Sequence, residues 1–273
     1  MMKAIEYLLS IDLNYIAIGL IAVFFTLEHL LSTQFSFTDR GKHFWNSFLF
    51  QIVFLIGNIF WAIAFVFCIE WLNQKEIGLF FLIEIPVWLK LILGVMLLDL
   101  ATYWFHRISH LVPLIWRFHR VHHSDTTMDS SSYFRSHPIE VLFWFGSAPI
   151  LMSAIFGFDL LTIGMYFLVA TPFLVIEHSN LSFPSWLDKT IGLVFTTPNL
   201  HKIHQDQYYT DSNFADIFIL WDRIFGTFKY KPAEEVKLGL VEFDEPKKQT
   251  FWYLIRSPFI NIEKIEKERK ENY

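Results

Sequence analysis

Five histidines fall within eighteen residues: His106, His110, His119, His122 and His123, in a chain that holds eleven. On a helix, residues three or four apart share a face, so His106 and His110 project together and HxxHH offers three imidazoles to one region. His178, in "VIEHSN", and the pair His201 and His204, in "HKIH", extend the set to eight. Clustered imidazoles bind metal, and eight exceed the usual complement of one ion, so the pattern points to two. Imidazole suits iron, copper, zinc or nickel, and spacing does not choose among them. The Glu-x-x-His signature of soluble di-iron bundles is missing. Single histidines in helices are ordinarily polar residues with a satisfied hydrogen bond, and His29 and His43 are assigned to that class. The only cysteine, Cys68, rules out a disulfide framework, an iron–sulfur cluster or a thiolate zinc site within one chain.

These histidines hang from elements suited to lipid. The chain is 53% hydrophobic, 19% aromatic and only 18% charged, against about 25% charge in soluble domains. A hydrocarbon core about 30 Å thick needs roughly 20 apolar helical residues. Candidate spans are Tyr15–Leu31, Phe44–Ile69, Pro86–Phe105, Ile139–Phe156 and Leu160–Ile176, the last two joined only by "GFD". The expected fold is an all-α integral membrane helical bundle with four or five crossings. A bundle over residues 1–177 carries a cytoplasmic helical cap over 178–231, and a tail follows over 232–273. The segment "IEKIEKERKENY" is expected to be a solvated helix or disordered. No cleavage site follows the first apolar run, so a retained anchor is expected.

Orientation follows the basic residues. Of 22 lysines and arginines, all but Lys3, Lys75 and Lys90 fall on the side that carries the histidines. That side is therefore expected to be cytoplasmic. No basic stripe stands apart from the membrane-flanking charges, so nucleic-acid binding is not expected. There is no GxG dinucleotide loop, no P-loop and no CxxCH haem site.

Together, "DLATYWFHRISH", "RFHRVHHSD", "YFRSHPIE", "EHSN", "TPNLHKIH" and "WDRIFGTF" resemble the fatty acid hydroxylase / sterol desaturase superfamily, over about Asp99 to Phe228. The resemblance implies a multi-pass membrane oxygenase with two iron ions held by His106, His110, His119, His122, His123, His178, His201 and His204. It implies O2 as co-substrate and hydroxylation or desaturation of a lipid such as a sterol, fatty acyl chain or ether lipid. With no flavin or nicotinamide loop in view, electrons are expected from an external protein of ferredoxin or cytochrome type with its reductase. Two other classes are consistent with clustered histidines. One is a zinc-dependent membrane hydrolase using Asp206 or Asp211 as base. The other is a non-enzymatic metal-binding or transport protein, which would spread ionisable groups through the membrane depth.

Supporting residues can also be named. Asp99 lies two turns before His106 on the same face, roughly 10 Å deeper, and is expected to accept an N–H from a ligand imidazole. Asp125, Asp206 and Asp211 are weaker candidates for that role. Arg135, His137 and Glu140 are expected to pair with one another, and Asp222 with Arg223. The family's last box usually reads HxxHH, but this chain has "HKIHQ". Gln205 is expected to be a weak or water-bridged neighbour of the metal, with ligation through its carbonyl oxygen as the alternative.

Overall fold

The computed structural model describes residues 13–31, 33–37 and 39–260. Lys3 and the segment 262–273 lie outside them. The described chain is helical, with no β-strand and only two isolated bridges, Thr33 with Leu181 and Asp206 with Leu238.

The first helix, α1 (Leu13–Leu30), is apolar almost throughout. Asp39 then caps α2 (Arg40–Gln74), its carboxylate accepting the Lys42 N–H at 2.9 Å. At 35 residues, and 1.5 Å per residue, α2 is about 52 Å long and outreaches a hydrocarbon core of about 30 Å. Pro86 precedes α3 (Val87–Leu111). Pro113 then serves two purposes: it ends α3 and occupies the first turn of α4 (Pro113–His119). The resulting reversal swings His119 back over His106 and His110. A π-helical turn, Glu140–Phe145, leads into α5 (Ser147–Phe156). Asp159 caps α6 (Leu160–Glu177) by accepting the Thr162 N–H at 2.8 Å.

Among the described residues, three segments are long and apolar enough to cross a membrane: Arg40–Phe81, Val87–Leu111 and Leu160–Glu177. The most apolar window of the first is only 6% buried, against 44% and 39% in the other two. The α2 helix therefore presents most of its apolar surface outward, while α3 and α6 form the centre. There Gly94 lets the two helices close, since a Cβ would stand 2.2 Å from Thr162 Cγ2. Leu98, Ala101, Ile163, Tyr166 and Ala170 build the core around that contact.

The two ends of the bundle differ. At one end short turns pack: Gly157, at φ +77°, closes α5, and Lys90 pairs with Asp159 at 2.8 Å. At the other, every helix end enters a polar cap. Glu28 of α1 accepts the N–H groups of Ser130 and Asn180, and His43 of α2 meets Asp125. Two short helices complete this cap, α7 (Pro198–His204) and α8 (Leu220–Ile224). Thr197 caps α7, and Lys202 within it is wholly buried, donating to Gln34 Oε1 and Leu181 O at 3.0 and 2.9 Å. Further along, Leu240, Phe243, Phe251 and Leu254 fold back onto Phe50, Trp116 and Val121. That apolar cluster fastens the chain after the cap to α2 and α4.

Candidate metal centre

The eight histidines gather at the capped end in two adjacent groups. His106, His110, His119, His123 and His204 form one; His122, His178 and His201 form the other. Within each group the potential ligand atoms lie within 4.8 Å of one another. Each later box is divided between them. HxxHH sends His119 and His123, one turn apart, to the first group and His122 to the second. HKIH sends His201 to the second and His204 to the first. Ring centroids across the division are 5.5 Å apart for His122 and His123, and 5.6 Å for His201 and His204. A movement of either box therefore disturbs both groups.

Hydrogen bonds behind the rings set their direction. His106 Nδ1 lies 2.7 Å from Phe214 O, His178 Nδ1 2.6 Å from Leu174 O, and His204 Nδ1 2.7 Å from Ser212 O. His119 Nδ1 lies 2.7 Å from Glu140 Oε1, while His201 Nδ1 faces Glu177 Oε2 at 3.4 Å without a hydrogen bond. A neutral imidazole has one N–H. The hydrogen-bonded acceptors fix it at Nδ1 in His106, His119, His178 and His204, leaving the Nε2 lone pair to face the group centre.

The lone pairs then confront each other. Nε2–Nε2 separations are 3.1 Å for both His106–His119 and His119–His123, and 3.2 Å for both His122–His178 and His178–His201. Metal–nitrogen bonds of about 2.0–2.1 Å set neighbouring nitrogens of an octahedron about 3 Å apart. In the His106–His119 pair, where both rings hold their N–H at Nδ1, the facing lone pairs repel unless a cation lies between them. His123 Nδ1 and His204 Nε2 are buried with no hydrogen-bond partner, which native interiors rarely tolerate. The donor set fits metal ions.

Charge state agrees. Burial holds His119 down to about 3 and His178 to about 4, from an ordinary value of about 6.5. Burial, reinforced by neighbouring imidazoles, also holds His122, His123, His201 and His204 well below that value. These rings are neutral at physiological pH, the form that binds metal.

The supporting carboxylates differ from expectation. Asp99 contacts no imidazole. Its oxygens accept from Ile217 N at 3.1 Å, Phe218 N at 3.0 Å and Trp221 Nε1 at 2.8 Å. The 214–221 loop fills the space between Asp99 and the histidines, so Asp99 positions His106 only through that loop. Asp125 binds His43 Nε2 at 2.9 Å and Ser132 Oγ at 2.6 Å, with Arg135 at 3.7 Å. Asp206 is taken up by Tyr208 N, Lys231 Nζ and Lys237 N. Asp211 is exposed, beside a hollow shared with Tyr208, Tyr209, Ser212 and Lys229.

The Arg135–His137–Glu140 grouping does not form. Arg135 binds Ser124 Oγ and Gln249, His137 Nε2 meets Ile255 O at 3.2 Å, and Glu140 turns to His119. Asp222 accepts from Phe214 N, Ala215 N and Thr227 Oγ1, while Arg223 lies over the Phe228 ring and donates to Gly192 O. His29 and His43 lie outside both groups. Sequence reasoning missed Glu177, whose signal is a carboxylate that ends an apolar run beside a histidine, and assigned Glu140 to Arg135 and His137 rather than to His119. The carbonyls of Phe214, Leu174 and Ser212 have no side-chain signature.

Known proteins resemble this chain over the region that carries the histidines. The fatty acid hydroxylase family model matches residues 91–227, half of the 273-residue chain, and covers all eight histidines. Human alkylglycerol monooxygenase is 29% identical over 180 residues, 61% of this chain and 36% of that protein. The ornithine lipid hydroxylase OlsE of Rhizobium tropici is 26% identical, over 54% of this chain and 44% of its own length. Methylsterol monooxygenase 2-2 of Arabidopsis thaliana is 33% identical, over 51% and 52% respectively. The chain thus spans about a third to a half of the length of these relatives. No solved structure matches.

Proposed function

Because the chain belongs to the fatty acid hydroxylase family, we propose that it is a membrane-bound, O2-dependent lipid hydroxylase with two iron ions. The observation that carries this reading is the convergence of eight imidazoles in two adjacent groups. His106, His110, His119, His123 and His204 would hold one ion, and His122, His178 and His201 the other. Iron bound there, with O2, supplies an oxidant able to break an unactivated C–H bond.

The chain's own residues position and protect that chemistry. Glu140 orients one imidazole of the first group through its hydrogen bond, and Glu177 faces one of the second. Trp116, Phe145 and Phe214 pack against the His106 and His110 rings, at centroid distances of 4.9 to 6.1 Å, and exclude water from them. The apolar bundle beneath gives a lipid chain access from the bilayer. The balanced reaction takes a substrate C–H, O2, two electrons and two protons to an alcohol and water. The electrons come from an external ferredoxin- or cytochrome-type protein with its reductase. We place the site on the cytoplasmic side, following the basic residues. We also keep the division into a bundle at 1–177, a cap at 178–231 and a following segment at 232–273.

Hydroxylation is favoured over desaturation because the relatives compared above are named monooxygenases or hydroxylases. Their names supply a first panel of alkylglycerol, ornithine lipid and methylsterol. The purified protein in lipid nanodiscs, given a reductant and 18O2, is expected to place 18O in one of these lipids. A His122→Ala control should not. Equal O2 consumption by both proteins, with no labelled lipid, would overturn the proposal.

A further inference from the structure

We infer that Gln205 is the fourth donor of the three-histidine group and binds its ion through the side-chain carbonyl oxygen. The inference rests on the reading of the histidines as ligands and adds that the two metal positions are unequal. One has five imidazoles; the other has three imidazoles and one amide oxygen.

Helical spacing places the residue. His119 and His123, four apart, enter the same group. Gln205 stands four after His201 and enters His201's group in the same way. Its side chain is buried with those around it, at 2% exposure. The terminal amide atom lies 2.6 Å from His122 Nε2 and 3.4 Å from His201 Nε2. Those separations bracket the 3.2 Å between His178 Nε2 and its two neighbours. The amide tip therefore occupies a corner of the same small polyhedron as the three imidazole nitrogens.

Which amide atom points inward is a matter of orientation, since oxygen and nitrogen have nearly the same shape. His178 holds its N–H at Nδ1, against Leu174 O, so its Nε2 carries a lone pair toward the group. An inward NH2 suits that arrangement only without metal. With an ion among the nitrogens, the oxygen is the only amide atom with a lone pair to give. A half-turn of the amide converts one state to the other. A neutral oxygen is a harder and weaker partner than imidazole for an ion in a nitrogen-rich site. The ion beside Gln205 is therefore the more readily lost.

The test is chelator titration of the full-length protein loaded anaerobically with Fe2+, read as iron retained per chain. Wild type should release iron in two steps, the first abolished by His178→Ala. Gln205→Leu should move that step to about tenfold lower chelator, a change of about 1.4 kcal/mol, and leave the second in place. Gln205→His should move the first step the other way. That gain guards against misfolding, since a damaged fold does not bind iron more tightly. A wild-type release profile in both variants would refute the role of Gln205. A wild type that holds no iron would instead sink the underlying metal assignment.

Discussion

Glu140→Ala removes the acceptor behind one imidazole and should loosen the five-histidine position. Glu140 Oε1 lies 2.7 Å from His119 Nδ1, with side-chain exposures of 1% and 4%. Removing a buried partner costs about 1–3 kcal/mol for the donor left behind. It also lets the ring turn, or move its proton to Nε2, which takes the lone pair out of the group. Loss of such an orienting contact typically lowers metal affinity about 10–100-fold, or about 1.4–2.8 kcal/mol. The two ranges overlap because they describe one interaction. Glu140→Gln keeps a carbonyl that can accept from Nδ1. Its loss should therefore be smaller than that of Glu140→Ala. Competition of iron-loaded protein with a chelator measures both. Unchanged iron retention in Glu140→Ala, or equal loss in Glu140→Ala and Glu140→Gln, would refute this reasoning.

Other outcomes follow from the same structure. Asp99→Ala strands three donors of the 217–221 loop; at about 1–3 kcal/mol for each unsatisfied group, it should lower the melting temperature even of metal-stripped protein. An unchanged melting temperature would show that the loop is anchored elsewhere. Acid should destabilise the metal-stripped protein through His119 and His178, whose folded values lie near 3 and 4. Above about pH 6.5 both states are neutral at these rings; below it the unfolded chain takes up protons that the fold refuses. Each ring then costs about 1.4 kcal/mol per pH unit until its folded value is reached. A melting temperature that is flat from pH 7 to 5 would contradict the burial of neutral rings. For topology, cysteines at Lys42 and Arg120 in a Cys68→Ser background should react with an impermeant thiol reagent from the side opposite to one at Lys75. Labelling of positions 75 and 120 from one side would reverse that assignment.

The histidine boxes were legible because helical spacing fixes which side chains share a face, and Pro113 and Pro198 mark where helices end and begin. Division of the boxes between two groups was not legible. It depends on how α4 and α7 cross above α3 and α6, a tertiary fact. Asp99 was legible as a buried, paired charge but not in its partner. Helix periodicity aligned it with His106 and gave no sign that a loop more than a hundred residues later would fill the gap. Glu140 was misplaced because closeness in sequence suggested Arg135 and His137 as partners, whereas the fold brings its carboxylate to His119, 21 residues earlier. Asp222 and Arg223, though adjacent, face different neighbours, so sequence proximity alone suggested a pair that geometry does not make.

Metal analysis of the full-length protein, purified without added metal, tests the central claim most directly. The account predicts two iron ions per chain in wild type and in His43→Ala, whose ring serves Asp125 and Asp129 instead. It predicts at most one in His122→Ala. Zinc in place of iron, or equal metal loss in His43→Ala and His122→Ala, would contradict it.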